Sequence, residues 1–166
     1  MKEKDFDRLF DEHAEPLLKF LIYRTGDRAL AEDLVADTFE RALRKRSMFD
    51  RRKGTEKAWL YTIATNLLRD GARRREVEER AYSTAGVLEP ALIGGGDGGV
   101  ARFEARQTVM EALEVLSPEE REAVALRFGA DLTVPEMAKV LDEKLTTVEG
   151  RVYRALRKLR AQLSDD

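Results

Sequence analysis

Apolar residues recur along this chain at helical intervals, in two blocks separated by a stretch with no period. In "KDFDRLFDEHAEPLLKFLIYRTG", Lys4 to Gly26, the apolar positions Phe6, Leu9, Phe10, Leu17, Leu18 and Leu21 predict an amphipathic helix. Pro16 falls inside it and predicts a bend or a restart, because proline has no N–H to give. Gly26 reads as the stop, and Asp27 as the N-cap of "RALAEDLVADTFERALRKR". There Leu30, Leu34, Val35, Thr38, Phe39 and Ala42 form an inward stripe. "SMFDRRKGT" is a loop turning at Gly54, with Thr55 placed to cap the next helix. In "KAWLYTIATNLLRDGARRR", Lys57 to Arg75, Leu60, Ile63, Ala64, Leu67 and Leu68 share one face. Thr62, Thr65, Arg69 and Arg73 fall on the opposite face, Asn66 on the shoulder, Trp59 on a flank, and Arg73, Arg74 and Arg75 close the helix.

The period fails after Arg75. "EVEERAYSTAGVLEPALIGGGDGGVARFEAR" has "GGGDGG" at Gly94 to Gly99 in its centre and reads as a flexible linker. A phosphate cradle would need a preceding strand and a following Lys-Ser or Lys-Thr, and neither is there. Helical signals then return with three N-terminal signatures. Ser117 pairs with Glu120 around Pro118, Thr133 with Glu136, and Thr146 with Glu149. They predict helices over about 118–128, 134–141 and 147–162. The architecture expected is all-α, two small helical domains at 1–76 and 105–166 joined by a linker at 77–104.

A short helix, a tight connection and a longer helix make the outline of a helix-turn-helix. Val134, Met137, Ala138 and Leu141 line the short helix, and Val148, Val152, Ala155, Leu156 and Leu159 the long one. The opposite face of the long helix carries Thr147, Gly150, Arg151, Arg154, Arg157 and Lys158. An apolar seam backed by a cationic face suits phosphates beside a DNA groove. A helical hairpin with a solvated basic face would show the same pattern.

Composition narrows the classes. The chain has 166 residues, 43% hydrophobic and 37% charged, enough apolar content for a core under a heavily charged surface. It has no cysteine, which excludes disulfides, zinc–thiolate sites and a cysteine nucleophile. No run approaches the length of a membrane span, and the charged start lacks a signal-peptide core, so a soluble cytoplasmic protein is expected. Net charge is −2, but Met1 to Glu40 holds eleven acidic and six basic residues, while Lys57 to Arg75 holds one acidic and five basic. The two stretches suit different partners. A single histidine, His13, and scattered carboxylates offer no metal cluster, so no catalytic site, metal or cofactor is expected.

These stretches resemble a known family. "AEDLVADTFERALRK" resembles the core-binding part of region 2 of the extracytoplasmic-function (ECF) RNA polymerase sigma factors. "KAWLYTIATNLLRDGARRR" resembles the part of that region that melts and reads the −10 element. "LSPEEREAVALRFGADLTVPEMAKVLDEKLTTVEGRVYRALRKLR" resembles region 4, whose helix-turn-helix reads the −35 element. The resemblance implies that the helix with Asp33, Asp37, Thr38 and Glu40 docks on the β′ clamp of core RNA polymerase. It implies that Trp59 supports the junction of duplex and single strand. Asn66 would floor a pocket for a flipped −10 base, walled by Met48 to Thr55. Thr62, Thr65, Arg69, Arg73, Arg74 and Arg75 would follow the promoter backbone. Thr147, Gly150, Arg151, Arg154, Arg157 and Lys158 would meet the −35 element. The implied partners are core polymerase, through β′ clamp and β flap, promoter DNA and an anti-sigma factor. In the family the turn of region 4 commonly carries a glycine and then an apolar residue. Here Asp142 and Glu143 stand in those places, with Leu145 expected as the plug, and Glu149 stands where lysine is common. The rival readings are a two-domain helix-turn-helix regulator that does not bind polymerase core, and a helical metal-dependent hydrolase.

Overall fold

A computed structural model describes residues 2–81 and 112–164, and among them every regular element is helical. The side chains of residue 3 and residues 76–81 are not described. The expected linker centre, Gly94 to Gly99, lies outside the described residues. Two compact units result, one centred on the first three helices and one on the helices after Ala112.

In the first unit α1 spans Glu3–Thr25, α2 Arg28–Lys45 and α3 Glu56–Ala81. Helix α1 runs through Pro16 without restarting. Pro16 is exposed, so water can reach the Glu12 carbonyl that the missing N–H leaves open. Gly26 ends α1 in the left-handed region at φ 65°, its N–H bonded to the Ile22 carbonyl at 2.8 Å. That conformation costs glycine nothing, which is why the stop falls there. Asp27 then caps α2 by accepting the Leu30 N–H at 3.1 Å. Leu34, Thr38, Phe39 and Ala42 turn inward from α2 as its period predicts, and the Thr38 hydroxyl donates to the Leu34 carbonyl at 2.6 Å. Phe10, expected inside, stays 47% exposed, with its ring edge on Phe39. Helix α3 continues to Ala81, five residues past the boundary expected at 76.

The buried arc of α3 is wider than one stripe, because α3 packs on both α1 and α2. Besides Leu60, Ile63, Ala64 and Leu68 it takes in Ala58, Tyr61 and Thr65. Tyr61 meets Phe20 edge-on with centroids 5.3 Å apart, and burial pushes its phenol pKa up to about 12. The sequence reading of Thr65 as exposed is therefore corrected: it is fully buried. Leu67 is only half-buried.

In the second unit α4 spans Pro118–Val124 and widens into a π-helical turn at Ala125–Gly129. Helix α5 spans Val134–Leu141 and α6 Leu145–Ser164. The capping box of α4 is complete, with Glu120 N–H on Ser117 Oγ at 3.2 Å and Ser117 N–H on Glu120 Oε2 at 3.0 Å. That of α5 also forms, through Thr133 and Glu136. The third does not. Helix α6 starts two residues earlier than predicted, with the Lys144 carbonyl taking the N–H groups of Thr147 and Val148. Thr146 is thus inside the first turn, where its hydroxyl cannot serve as the cap. Leu126, Leu132, Met137, Val148 and Ala155 are buried, whereas Leu156, expected in the stripe, is 38% exposed at its edge.

Candidate nucleic-acid interfaces

Widening the buried arc of α3 rotates its outer face. Asn66 is not on the shoulder but exposed near the middle of that face. Trp59, Thr62, Arg69 and Arg73 stand at i−7, i−4, i+3 and i+7 from it, which is one line along the helix. Trp59, Thr62 and Arg69 are half-buried, and Arg73, Arg74 and Arg75 are exposed. Thr62 spends its hydroxyl on the Ala58 carbonyl at 2.8 Å. The line thus offers an indole, an amide that both donates and accepts, and a cationic end.

The loop before α3 is built rather than slack. A 3-10 turn at Arg46–Met48 leads into Phe49, whose ring lies 5.2 Å from that of Trp59. Asp50 accepts the Arg52 N–H at 3.0 Å and two guanidinium bonds from the same residue, which hold its carboxyl below the usual range. Lys53 N–H closes a turn on the Asp50 carbonyl at 2.9 Å, and Thr55 Oγ1 accepts the Ala58 N–H at 3.1 Å. Glu56, its side chain 14% exposed, receives Arg8 of α1 at 2.6 Å and Arg51 of the loop at 3.2 Å. One carboxylate therefore ties loop, α1 and the start of α3 together.

On α2, Asp33, Asp37, Glu40 and Arg44 recur at i, i+4, i+7 and i+11, a single exposed line. Glu40 pairs with Arg44 within it. Asp37, Glu40, Arg41 and Arg44 line a shallow groove with Leu67 of α3. Thr38 does not share that surface. It is fully buried, so its place in the expected docking set is corrected to a core position beneath it. His13 is half-buried and its pKa is lowered by that burial, so it is neutral near pH 7.

Helix α6 keeps Thr147, Gly150, Arg154 and Arg157 on its outer arc, with Gly150 half-buried. A Cβ at Gly150 would meet only the flexible end of Arg154, so packing inside the chain does not demand the glycine. Two other expected members are engaged internally. Arg151 gives two bonds to Glu143, at 3.2 and 2.7 Å, and its side chain is 13% exposed. Lys158 Nζ donates to Glu120 Oε2 at 2.9 Å, joining α6 to the capping box of α4. Spacing put both on a cationic face, but long side chains at its border reach acids on neighbouring segments instead. The sequence reading also passed over Tyr153, 67% exposed in the same arc between Gly150 and Arg157. Its position on the helical wheel, beside Gly150 and Arg157, is the signal that discloses it. Leu145, expected as the plug of the turn, is 43% exposed and not a buried residue.

A helix-turn-helix with a basic outer arc, and a three-helix unit with an acidic line on one helix and an amide–arginine line on another, define a two-unit helical transcription factor. Residues 9–77 match sigma-70 region 2, and residues 106–159 match sigma-70 region 4. The RNA polymerase sigma factor CarQ of Myxococcus xanthus is 30% identical over 161 residues, 96% of this chain and 90% of its own length. The ECF RNA polymerase sigma factor BldN of Streptomyces coelicolor is 33% identical over 165 residues, and the chain spans 61% of that relative's length. The solved structure of the sigma factor RpoE of Bartonella quintana, in complex with the anti-sigma factor NepR, matches with a TM-score of 0.82 at 28% identity, over 98% of this chain and 99% of that one. The chain belongs to the ECF family of RNA polymerase sigma factors.

Proposed function

We propose that this protein binds core RNA polymerase, brings it to a bipartite promoter and opens the −10 element, without catalysis of its own. The first unit docks on the polymerase clamp through the exposed acidic line Asp33, Asp37 and Glu40 of α2. Asn66 reads one extruded base against the braced loop 48–55, and Arg69, Arg73, Arg74 and Arg75 hold the flanking phosphates. The second unit reads the −35 element with Thr147, Gly150, Tyr153, Arg154 and Arg157 of α6. No cofactor is needed, because base capture and phosphate contacts offset unstacking.

The observation that carries this reading is the placement of exposed Asn66 at the centre of a line that starts at half-buried Trp59 and ends in exposed arginines. An amide there has no packing role, and base edges are what it can recognise. The charge opposition between the Asp33, Asp37 and Glu40 line of α2 and the arginines at the end of α3 supports separate partners for the two surfaces. The protein acts in the cytoplasm, and among the described residues no helix is long and apolar enough to cross a membrane. An anti-sigma partner is proposed as well, supported by two relatives solved in complex with a second protein. One is RpoE with the anti-sigma factor NepR, and the other is CnrH with the cytosolic domain of CnrY.

The test is run-off transcription with core polymerase on a randomised promoter library. Wild type should select one −35/−10 class, and Asp37→Lys/Glu40→Lys should lose core binding while keeping its helicity. A protein that binds the selected DNA but neither co-purifies with core polymerase nor supports initiation would be a regulator of the other class.

A further inference from the structure

The turn between α5 and α6 has no buried apolar residue. Asp142, Lys144 and Leu145 are exposed and Glu143 is half-buried. Nothing hydrophobic in the turn therefore holds the start of α6 in place. What the turn does contain is an acid fixed at both ends. Asp142 takes the left-handed region at φ 54°, and the Glu143 N–H bonds the Ala138 carbonyl at 3.0 Å, which sets the Glu143 backbone. The Glu143 carboxylate then receives both terminal nitrogens of Arg151, at 3.2 and 2.7 Å. A fork-on-fork pair of this kind fixes orientation as well as distance, because both parallel bonds must be made together. Arg151 sits about a turn and a half into α6, one residue past Gly150 and three before Arg154. With 13% of its side chain exposed, it has turned away from the outer arc.

We propose that Glu143 and Arg151 form the strut that sets the axial rotation of α6, and that Arg151 is a positioning residue and not a DNA contact. The proposal rests on the reading of α6 as the −35-recognition helix. Rotating α6 by a few tens of degrees would carry Tyr153 and Arg154 off the base edges while leaving the phosphate-facing charge nearly unchanged. The strut therefore governs discrimination between sequences more than total affinity. It also explains how a turn built of Asp, Glu and Lys can hold a recognition helix.

The experiment uses the full chain and two duplexes, one carrying the −35 sequence selected from the promoter library and one with that sequence shuffled. Affinity for each is measured across salt for wild type, E143Q, R151Q, the E143Q/R151Q double, R151K and R154A, with helicity followed by circular dichroism. Partial unfolding lowers both affinities alike, so the selected-to-shuffled ratio isolates positioning from stability. E143Q and R151Q should each lower that ratio about tenfold, and the double should lie within about threefold of the worse single, since one strut cannot be lost twice. The salt slope of R151Q should equal that of wild type, whereas R154A should lose roughly one counterion from it. R151K keeps the charge without the fork and should fall between wild type and R151Q, which preserves the comparison if R151Q loses helicity. A salt slope reduced by one counterion in R151Q, multiplying losses in the double, or an unchanged ratio in E143Q would each overturn the proposal. If R154A binds as wild type does, the recognition-helix reading fails and the proposal with it. A normal R154A loss beside an unaffected E143Q sinks the strut alone.

Discussion

Lys158 decides between two accounts of one cationic side chain. Spacing places it on the outer face of α6 as a phosphate contact, whereas the structure spends it on Glu120. Replacing Lys158 with methionine keeps the aliphatic stem and removes the charge. Glu120 is nearly enclosed, with 7% of its side chain exposed, and it already closes the Ser117 capping box. A hydrogen bond to such a carboxylate contributes about 1.5–3 kcal/mol net. The lysine end is 43% exposed, so water screens part of this, and a loss of about 1–2 kcal/mol is expected for the second unit. For a unit of this size that is a fall of roughly 4–16 °C in its melting temperature. A pH signature accompanies it. The Lys158 hydrogen bond, aided by the Ser117 N–H, holds the Glu120 carboxyl below the usual carboxylate range against the opposing effect of burial. A carboxyl with a depressed folded-state pKa stabilises fully above its unfolded value, and that contribution is lost as pH falls through the folded one. Wild type and Lys158→Met should therefore differ near pH 7 and converge in acid. Thermal melts from neutral to acid pH, together with the salt slope for −35 duplex, complete the assay. A variant that melts like wild type but loses one counterion from its slope would show that Lys158 serves DNA and that its bond to Glu120 stabilises nothing.

Three further outcomes are expected. Asn66→Ala should relax preference at one −10 position by about 1–3 kcal/mol, read by transcription from promoters substituted base by base, and an equal loss at every position would remove Asn66 from base readout. Glu56→Ala removes the acid that joins Arg8 to Arg51 and loosens the loop before α3, so −10 discrimination should drop about threefold to tenfold with helicity intact; unchanged discrimination in the same promoter series would show that the brace is idle. Asp142→Gly relieves a left-handed non-glycine residue at φ 54° and should stabilise the protein by up to about 1 kcal/mol in urea denaturation, where a loss instead would mean that the Asp142 side chain has a role of its own.

The helices and most of their ends are legible in the amino-acid order. The stop at Gly26 is a backbone N–H bonded to a carbonyl four residues back, and the caps at Asp27, Thr55, Ser117 and Thr133 each accept a backbone N–H three residues on; such bonds are local and need no tertiary partner. The family is legible too, because its motifs lie in order along the chain. Which side faces outward was legible for α2, whose stripe turned inward as its period predicts, and less so for α3, whose buried arc is wider than its apolar stripe. In α3, packed on α1 and α2, Thr65 went inside and Asn66 moved to the middle of the outer face. The fate of long charged side chains depends on contacts distant in sequence. Arg151 and Lys158 look like their neighbours Arg154 and Arg157 in the sequence, and only the positions of Glu143 and Glu120 in space separate a strut from a DNA contact. The start of α6 belongs with them. Two threonines and a glutamate spelled a cap at Thr146, but the chain leaving the left-handed turn at Asp142 was already helical by Leu145, because backbone geometry fixed upstream outweighs a cap of about 1 kcal/mol.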